Sequence, residues 1–213
     1  MSDVVASSAV HVVRHAVIAS ALAVLRDRSS SSLAFRSSAR TIARALAYEA
    51  TRDLPIEVFD VETPVATTSG HRIVDHVVVA PILRAGLGML DAFLDVVPTA
   101  STGFVGLKRD ETTLLPTEYY RNLPATIGTH FFLLDPMLAT GGSVRAALDA
   151  IDTVSLKSCS LLAFIAAPEG IASVMSAHPG LRIYTASIDE RLNDLGYIVP
   201  GLGDAGDRLC GTA

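Results

Sequence analysis

The sequence predicts an α/β fold in which a mostly parallel sheet is flanked by helices. Short apolar runs alternate along the chain with helical patterns, as they do in parallel βαβ units. The runs Val77–Ala80 and Phe131–Leu134 are apolar without a break, which is typical of strands buried on both faces. With 213 residues, half of them hydrophobic and 18% charged, the chain can build one large core. We therefore expect one domain, residues 1–213, with an N-terminal helical part (1–54), a core (55–188) and a C-terminal tail (189–213).

Two helices are predicted in the N-terminal part, over residues 9–27 and 33–52. In both segments apolar residues recur at helical spacing. Ser31 or Ser32 can cap the second helix. The apolar run 16–25 is too short to cross a bilayer and lacks the early positive charge of a secretion signal. We therefore expect it to be a core helix of a cytoplasmic protein that does not enter a membrane.

After residue 55 the pattern becomes one of strands alternating with helices. The predicted strands cover residues 56–65, 73–82, 104–107, 131–134, 160–167 and 183–186, and the predicted helices cover 143–153 and 171–177. A polar segment lies between the third and fourth strands, at residues 108–122. From Asp189 onward the tail is predicted to be rich in loops.

Charged residues follow four of the predicted strands. They are Arg84, Arg109, Asp135 and Glu169. The carboxyl ends of parallel strands meet at one edge of a sheet, and ligands of such sheets bind there. We therefore expect these four residues along the edge that carries the functional site.

Residues 135–143, DPMLATGGS, have the order acid, Gly-rich loop and helix start directly after an apolar strand. Glycines let backbone N–H groups approach an anion closely, and a helix N-terminus adds partial positive charge. This pattern predicts a phosphate cradle. The alternative is a tight strand-to-helix turn that binds nothing and is capped by Thr140 or Ser143.

Two other nucleotide motifs are excluded by their context. The cradle has no Lys after its second glycine, so it is not a Walker loop. Gly201, Gly203 and Gly206 match a dinucleotide fingerprint, but too few residues follow Gly206 for the helix and strand of that unit. We expect this second cluster of glycines to form a loop with another task.

The net charge of −5 argues against a surface that coats nucleic acid. The two cysteines, Cys159 and Cys210, have no CxxC partner and favour a reducing compartment over a disulfide framework. An anionic substrate must then be attracted locally, by placed arginines, backbone N–H groups and a metal ion.

Five ordered motifs resemble the uracil phosphoribosyltransferases. They are PILRAGLGM at 81–89, DPMLATGGS at 135–143, AAPEG at 166–170, YTASID at 184–189 and GYIVPGLGDAGD at 196–207. The segment YEATRDL at 48–54 extends the similarity into the helical part. The resemblance implies the type I phosphoribosyltransferase fold. It also implies transfer of the phosphoribosyl group of 5-phosphoribosyl 1-diphosphate (PRPP) to uracil, giving UMP and diphosphate.

The resemblance also implies the roles of individual residues. Arg84, Arg109, Asp135 and Asp204 would be catalytic. PRPP would be bound by Arg84, Arg109, Asp135, Pro136, Met137, Leu138, Ala139, Thr140, Gly141, Gly142, Ser143 and Asp204, and uracil by Ile198, Gly203, Asp204 and Ala205. Mg²⁺ would be held mainly through the diphosphate of PRPP, so no metal ligands are expected from the chain itself. The family further implies a homodimer or higher homo-oligomer, a GTP effector and a mobile arm over residues 109–120.

Several positions depart from the family pattern: Arg191 stands in place of a Gly, Thr112 in place of a Glu, Glu118 in place of a Pro and Cys210 in place of an aromatic residue, and the usual His-Pro is absent around Val10 and His11. They lie around the motifs and not within them. A second reading keeps the same pocket but makes the chain a nucleotide-sensing regulator that binds UMP or PRPP. The net charge of −5 and the lack of a Lys/Arg run count against its contact with RNA.

Overall fold

A computed structural model describes residues 9–109 and 116–212 of the chain. The strands are β1 (Val10–Val12), β2 (Ile56–Glu62), β3 (Thr67–Ile73), β4 (Val77–Leu83), β5 (Ser101–Thr102), β6 (Phe104–Arg109), β7 (Pro116–Asn122), β8 (His130–Leu134), β9 (Met137–Leu138), β10 (Ser158–Ala166), β11 (Leu181–Ile188), β12 (Arg191–Leu192) and β13 (Ile198–Val199). The α-helices are α1 (Ala16–Arg26), α2 (Ser32–Ala50), α3 (Leu87–Leu94), α4 (Gly142–Asp149), α5 (Pro168–Ala177) and α6 (Ala205–Cys210), and a short 3₁₀ turn covers Thr153–Ser155.

The central sheet has the strand order β1-β11-β10-β8-β4-β6-β7. All neighbours in this order are parallel except β6 and β7, which are antiparallel. Leu134 at the end of β8 is level with Pro81 of β4 and with Leu162 of β10, so the carboxyl ends of the strands face the same edge. The predicted fold class, a mostly parallel sheet flanked by helices, is confirmed.

The core lies on both faces of the sheet because successive side chains of a strand point to opposite faces. Phe132 packs with α1, α2 and α3, where Phe35 and Phe93 are also buried. Its neighbour Phe131 packs on the other face, against Val144 of α4. Each such fully buried side chain contributes about 1.5–3 kcal/mol of hydrophobic stabilisation. The unbroken apolar runs of β4 and β8 are explained by this two-sided burial.

The N-terminal prediction was wrong at its start. Residues 10–12 form β1 and not the first turns of a helix, and Val10 is paired with Ile183 of β11. The helix α1 begins only at Ala16, where the His15 side chain accepts a hydrogen bond from the Val17 N–H (3.1 Å). Valines at helical spacing also suit a strand, and here the open edge of β11 decides in favour of the strand.

Two polar strands were missed. Residues 67–73, of which only Ile73 was predicted to lie in a strand, form β3, which pairs with β2 in an antiparallel hairpin outside the main sheet. The polar segment after Arg109 returns as β7, in which Glu118 pairs with Leu107. Exposed edge strands lack the apolar pattern on which the prediction depended. Residues 110–115, including Thr112 and much of the predicted mobile arm, lie outside the described residues.

Other boundaries shift by a few residues. The helix α5 begins at Pro168 rather than 171, since Pro suits the first position of a helix. Ser31 caps α2, accepting from the Ala34 N–H (3.3 Å), as one of the two predicted caps. Within the described ranges, none of the helices is long and apolar enough to cross a lipid bilayer.

Candidate functional site

The charged residues singled out from the sequence lie at one edge of the sheet. Arg84 directly follows β4, Arg109 is the last residue of β6, and Asp135 directly follows β8. Glu169 lies one step further on, in the first turn of α5 after β10. The parallel register of these strands brings their carboxyl ends together, as the sequence predicted.

The loop between β8 and α4 encloses a small cavity of about 80 Å³. Asp135 and residues 137–144 line it. Gly141 adopts φ +81° just before α4 starts, and a Cβ there would lie 2.7 Å from Val174 Cγ2 and 3.0 Å from the Gly170 carbonyl oxygen. Only glycine suits this combination of backbone conformation and close packing.

The helix α4 begins at the cradle without a side-chain N-cap. Its N-cap residue is Gly141, so neither Thr140 nor Ser143 takes that position, and the Gly142 N–H donates a long hydrogen bond to Thr140 Oγ1 (3.4 Å). The N–H groups of a helix's first turn have no partners within the helix, so an anion in the cradle can accept from them. The cavity fits one tetrahedral group such as a phosphate.

Asp135 is electrostatically the most unusual group of the site. Burial raises the pKa of its carboxyl group to about 7, although a hydrogen bond from the Met137 N–H acts in the opposite direction. Its own N–H donates to the Leu162 carbonyl (3.1 Å), which fixes the backbone at the strand end. A carboxylate held in such surroundings is stabilised by positive charge or by hydroxyl donors placed beside it.

A larger cleft of about 570 Å³ adjoins the cradle. Met137 and Ala139 line both cavities, so the two are neighbours at this edge of the sheet. The remaining walls come from the tail: Asn193, Leu195, Gly196, Tyr197, Ile198, Val199, Pro200, Gly201, Leu202, Gly203 and Asp204. Three of the four predicted uracil-binding residues are in this wall. The fourth, Ala205, follows directly as the buried first residue of α6.

The wall of the cleft is shaped by hydrogen bonds within the tail. Strands β12 and β13 pair antiparallel, and Asn193 Oδ1 accepts from the N–H groups of Leu195 (3.0 Å) and Tyr197 (2.9 Å) to close their turn. Asp204 caps α6 by accepting from the Asp207 N–H (2.9 Å). Its carboxylate therefore lies in the cleft wall with its position fixed.

Glu169 and Arg191 lie near the cleft but outside its lining. Glu169 Oε1 accepts from the Leu192 N–H (2.9 Å), and this hydrogen bond holds the pKa of the carboxyl below its usual range. The contact ties the start of α5 to the tail. Arg191 is exposed on β12 and is not among the residues that line the cleft.

Arg84 lies apart from both cavities. Its guanidinium is 65% exposed and lies 3.9 Å from the Asp207 carboxylate of α6. It lines a separate cavity of about 400 Å³ together with Arg36 and Arg40 of α2. The cradle and the tail cleft are therefore adjacent, while Arg84 lines a different cavity and its guanidinium lies near Asp207 of α6.

The sequence interpretation missed two charged groups next to the cleft, the buried Asp189 and the partly exposed Arg26. Asp189 directly follows β11, as Asp135 directly follows β8. The expectation that charged residues at the carboxyl ends of strands belong to the site would therefore also have identified Asp189. Arg26 is the last residue of α1 and lies 163 positions earlier. No local signal connects it to the tail.

Comparisons with known proteins agree with this geometry. The family model for uracil phosphoribosyltransferase matches residues 12–212. A uracil phosphoribosyltransferase of Geobacillus kaustophilus is 49% identical over 205 residues, covering 95% of this chain and 98% of that protein. One of Symbiobacterium thermophilum is 50% identical over 207 residues, covering 96% and 99%.

A solved structure from Aquifex aeolicus superposes with a TM-score of 0.89 at 39% identity, covering 94% of this chain and 97% of the other. None of these relatives is named as a regulator, so the regulator reading gains no support. The match extends from the last residue of β1 to the end of the described tail, which includes both the cradle and the cleft. The chain therefore belongs to the uracil phosphoribosyltransferase family.

Proposed function

We propose that the chain transfers the 5-phosphoribosyl group of PRPP to uracil, forming UMP and diphosphate, as the names of its relatives indicate. The observation that carries this proposal is the wall shared by the cradle and the tail cleft, formed by Met137 and Ala139. A phosphate and ribose in the cradle would bring the sugar C1 to the mouth of the cleft. A base in the cleft would then face C1, as the transfer requires.

The donor side of the site would be residues 135–143. The N–H groups at the start of α4 would receive the 5-phosphate, where the helix dipole also favours negative charge. Arg84 and Arg109 would take the diphosphate, with Arg84 swinging inward from its exposed position. Guanidinium groups stabilise the diphosphate most as it leaves, when its negative charge is largest.

Asp135 and Asp204 would act on the ribose. Positive charge develops on the ribosyl group as the C1–oxygen bond to diphosphate breaks, and a nearby carboxylate stabilises it electrostatically. Asp135 suits this task because burial weakens its solvation, so it gains much from a cation beside it. Asp204 lines the cleft and would lie between the ribose and the base.

Uracil would be recognised by Ile198, Gly203, Asp204 and Ala205. The edge of uracil presents an acceptor, a donor and an acceptor, which backbone N–H and C=O groups of an irregular loop can match. Cytosine has an amine in place of one acceptor and would set a donor against a donor. An unpaired buried polar group costs about 1–3 kcal/mol, so we expect a strong preference for uracil.

Mg²⁺ is part of the proposal, held mainly through the diphosphate of PRPP. Across residues 9–109 and 116–212 no three His, Cys, Asp or Glu side chains are gathered as metal ligands, whereas single carboxylates such as Asp135 and Asp204 are present. Mg²⁺ commonly takes one or two carboxylates and otherwise phosphate oxygens and water, so this donor set fits it. When bound, the ion would neutralise the charge of the leaving diphosphate.

Three further features belong to the same proposal: a GTP effector, assembly into a homodimer or a higher homo-oligomer, and a cytoplasmic location. The free thiols of Cys159 and Cys210 support a reducing compartment. Sedimentation with and without GTP would test the first two features together, and a monomer unaffected by GTP would contradict both.

The test of the transfer is release of diphosphate from PRPP and Mg²⁺ with uracil, cytosine, orotate and hypoxanthine in parallel. We expect release with uracil and at most a few per cent of that rate with the other three bases. Tight binding of UMP without release for any base would contradict the proposal.

A further inference from the structure

The tail loop that forms the cleft wall is fastened to the C-terminus of α1. Arg26, the last residue of that helix, donates from Nη1 to Asp189 Oδ2 (2.7 Å) and from Nη2 to Asp189 Oδ1 (2.6 Å). The same guanidinium donates to Ser187 Oγ (3.1 Å) and to the Gly201 carbonyl (2.8 Å). The Asp189 side chain is 1% exposed and that of Arg26 is 26% exposed, so the pair is largely removed from water.

Gly201 is held from both sides by this pair. Its N–H donates to Asp189 Oδ2 (2.9 Å) while its carbonyl accepts from Arg26. Its φ is +66°, and a Cβ would lie 2.2 Å from the Ile198 carbonyl oxygen, so the backbone is in a conformation that requires glycine. The N–H of Gly201 thus contacts the buried Asp189 carboxylate and its carbonyl contacts the Arg26 guanidinium, so the backbone is fixed where the loop enters the cleft.

A second arginine fastens the next residue of the loop. Arg208 of α6 donates to the Leu202 carbonyl (2.8 Å), to the Asp27 carbonyl (2.6 Å) and to the Leu25 carbonyl. Its guanidinium also lies over the Phe35 ring, 4.3 Å from the centroid. The carbonyls of Leu25 and Asp27 belong to the end of α1, where helices leave acceptors without partners.

We propose that Arg26, Asp189 and Arg208 form an anchor that positions the loop 198–205 for the acceptor base, an inference that rests on the proposed function. None of the three lines the cleft, whereas Gly201 and Leu202, which they hold, both do. They are positioning residues and act on the base through the loop. The anchor connects α1, a helix outside the site, to base binding.

Weakening the anchor should affect the binding of uracil and leave the binding of PRPP largely unchanged. The cradle is formed by the segment between β8 and α4, and none of the anchor's hydrogen bonds reaches it. Asp204, the loop residue assigned to PRPP, is held separately by its hydrogen bond from the Asp207 N–H (2.9 Å). Loosening the loop at Gly201 would therefore raise the KM for uracil while the KM for PRPP stays nearly constant. A loss of general stability would shift both substrates and kcat together.

Arg26→Lys is the most informative variant. Lysine keeps the positive charge, but its ammonium group cannot donate hydrogen bonds to Asp189, Ser187 and Gly201 at the same time as the planar guanidinium does. We expect the KM for uracil to rise at least tenfold and the KM for PRPP to change less than twofold. Arg44→Lys is the matched control, since Arg44 pairs with Asp95 on the exposed surface of α2. It should leave both KM values unchanged.

Hydrogen exchange supplies a readout independent of turnover. Amides of residues 198–205 should exchange faster in Arg26→Lys than in Arg44→Lys, while those of residues 135–143 should not differ. If Arg26→Lys does not fold, Arg208→Lys is measured in the same way and decides the matter. Equal rises in both KM values, or unchanged exchange at 198–205, would overturn the anchor. A wild-type protein that does not use uracil would instead contradict the proposed function, and exchange would still test the anchor.

Discussion

Replacing Asp135 with asparagine should abolish transfer and yet stabilise the fold at neutral and alkaline pH. Burial raises the pKa of this carboxyl from 3.8 to about 7. Each pKa unit corresponds to about 1.4 kcal/mol, so ionised Asp135 costs the folded state up to about 4 kcal/mol above pH 7. Because the folded pKa is the higher one, this cost is absent below pH 4 and grows as the pH rises to 7.

The assay is urea unfolding of both proteins at several pH values between 4 and 8. The stability of Asp135→Asn should exceed that of the wild type by up to about 4 kcal/mol at pH 8, and the gap should close towards pH 4. For a chain of this size each kcal/mol corresponds to about 2–4 °C in Tm. Asp60→Asn, at an exposed position of β2, is the control and should change neither stability nor rate.

Two results would contradict the predictions for Asp135→Asn. Parallel stability profiles of the two proteins between pH 4 and 8 would mean that Asp135 is not held in surroundings that disfavour its charge. A wild-type rate for Asp135→Asn would remove the carboxylate from the chemistry, whatever its effect on stability.

Further predictions concern the two free cysteines, the cradle and the anchor. A thiol reagent should label only the exposed Cys210 in the native protein, because burial raises the pKa of Cys159 to about 12; two labelled thiols before unfolding would contradict this. Gly141→Ala should cost about 1–2 kcal/mol and raise the KM for PRPP, whereas Gly180→Ala, where a Cβ meets nothing within 4 Å, should do neither; steady-state kinetics and Tm measure both. Burial would raise the pKa of Asp189, but hydrogen bonds from its partners outweigh it and lower the pKa, so the stability it provides is lost as the pH falls through its folded value. Asp189→Asn should lose about 3 kcal/mol at pH 7 and show less acid sensitivity than the wild type, and an unchanged acid transition would contradict this.

The parts of the fold that the sequence predicted are those with one local cause. Strand β4, and strand β8 after His130, are apolar because both faces of the sheet are covered there, and this pattern can be recognised without knowing which strands are neighbours. Strands β1, β3 and β7 do not show such an unbroken apolar pattern. Strands β1 and β7 are at sheet edges, and β3 is in an exposed hairpin. Their existence depends on a neighbouring strand that the local sequence does not reveal.

The site divides in the same way. The cradle was predictable because Asp135, the glycines and the start of α4 are consecutive, so one segment contains both the geometry and the charge. The anchor was not, because Arg26 and Asp189 are joined only by the fold. Arg84 shows a further limit: its place after β4 follows from the sequence, but the direction of its side chain depends on packing against α6.

We propose that the cradle and the cleft together transfer the phosphoribosyl group of PRPP to uracil and do not hydrolyse PRPP. The most direct measurement is to incubate the protein with PRPP, Mg²⁺ and uracil and to quantify UMP and diphosphate from the same samples. We expect equal amounts of the two products at every time point, and neither product when uracil is omitted. Diphosphate without a matching amount of UMP, or no UMP with uracil present, would contradict it.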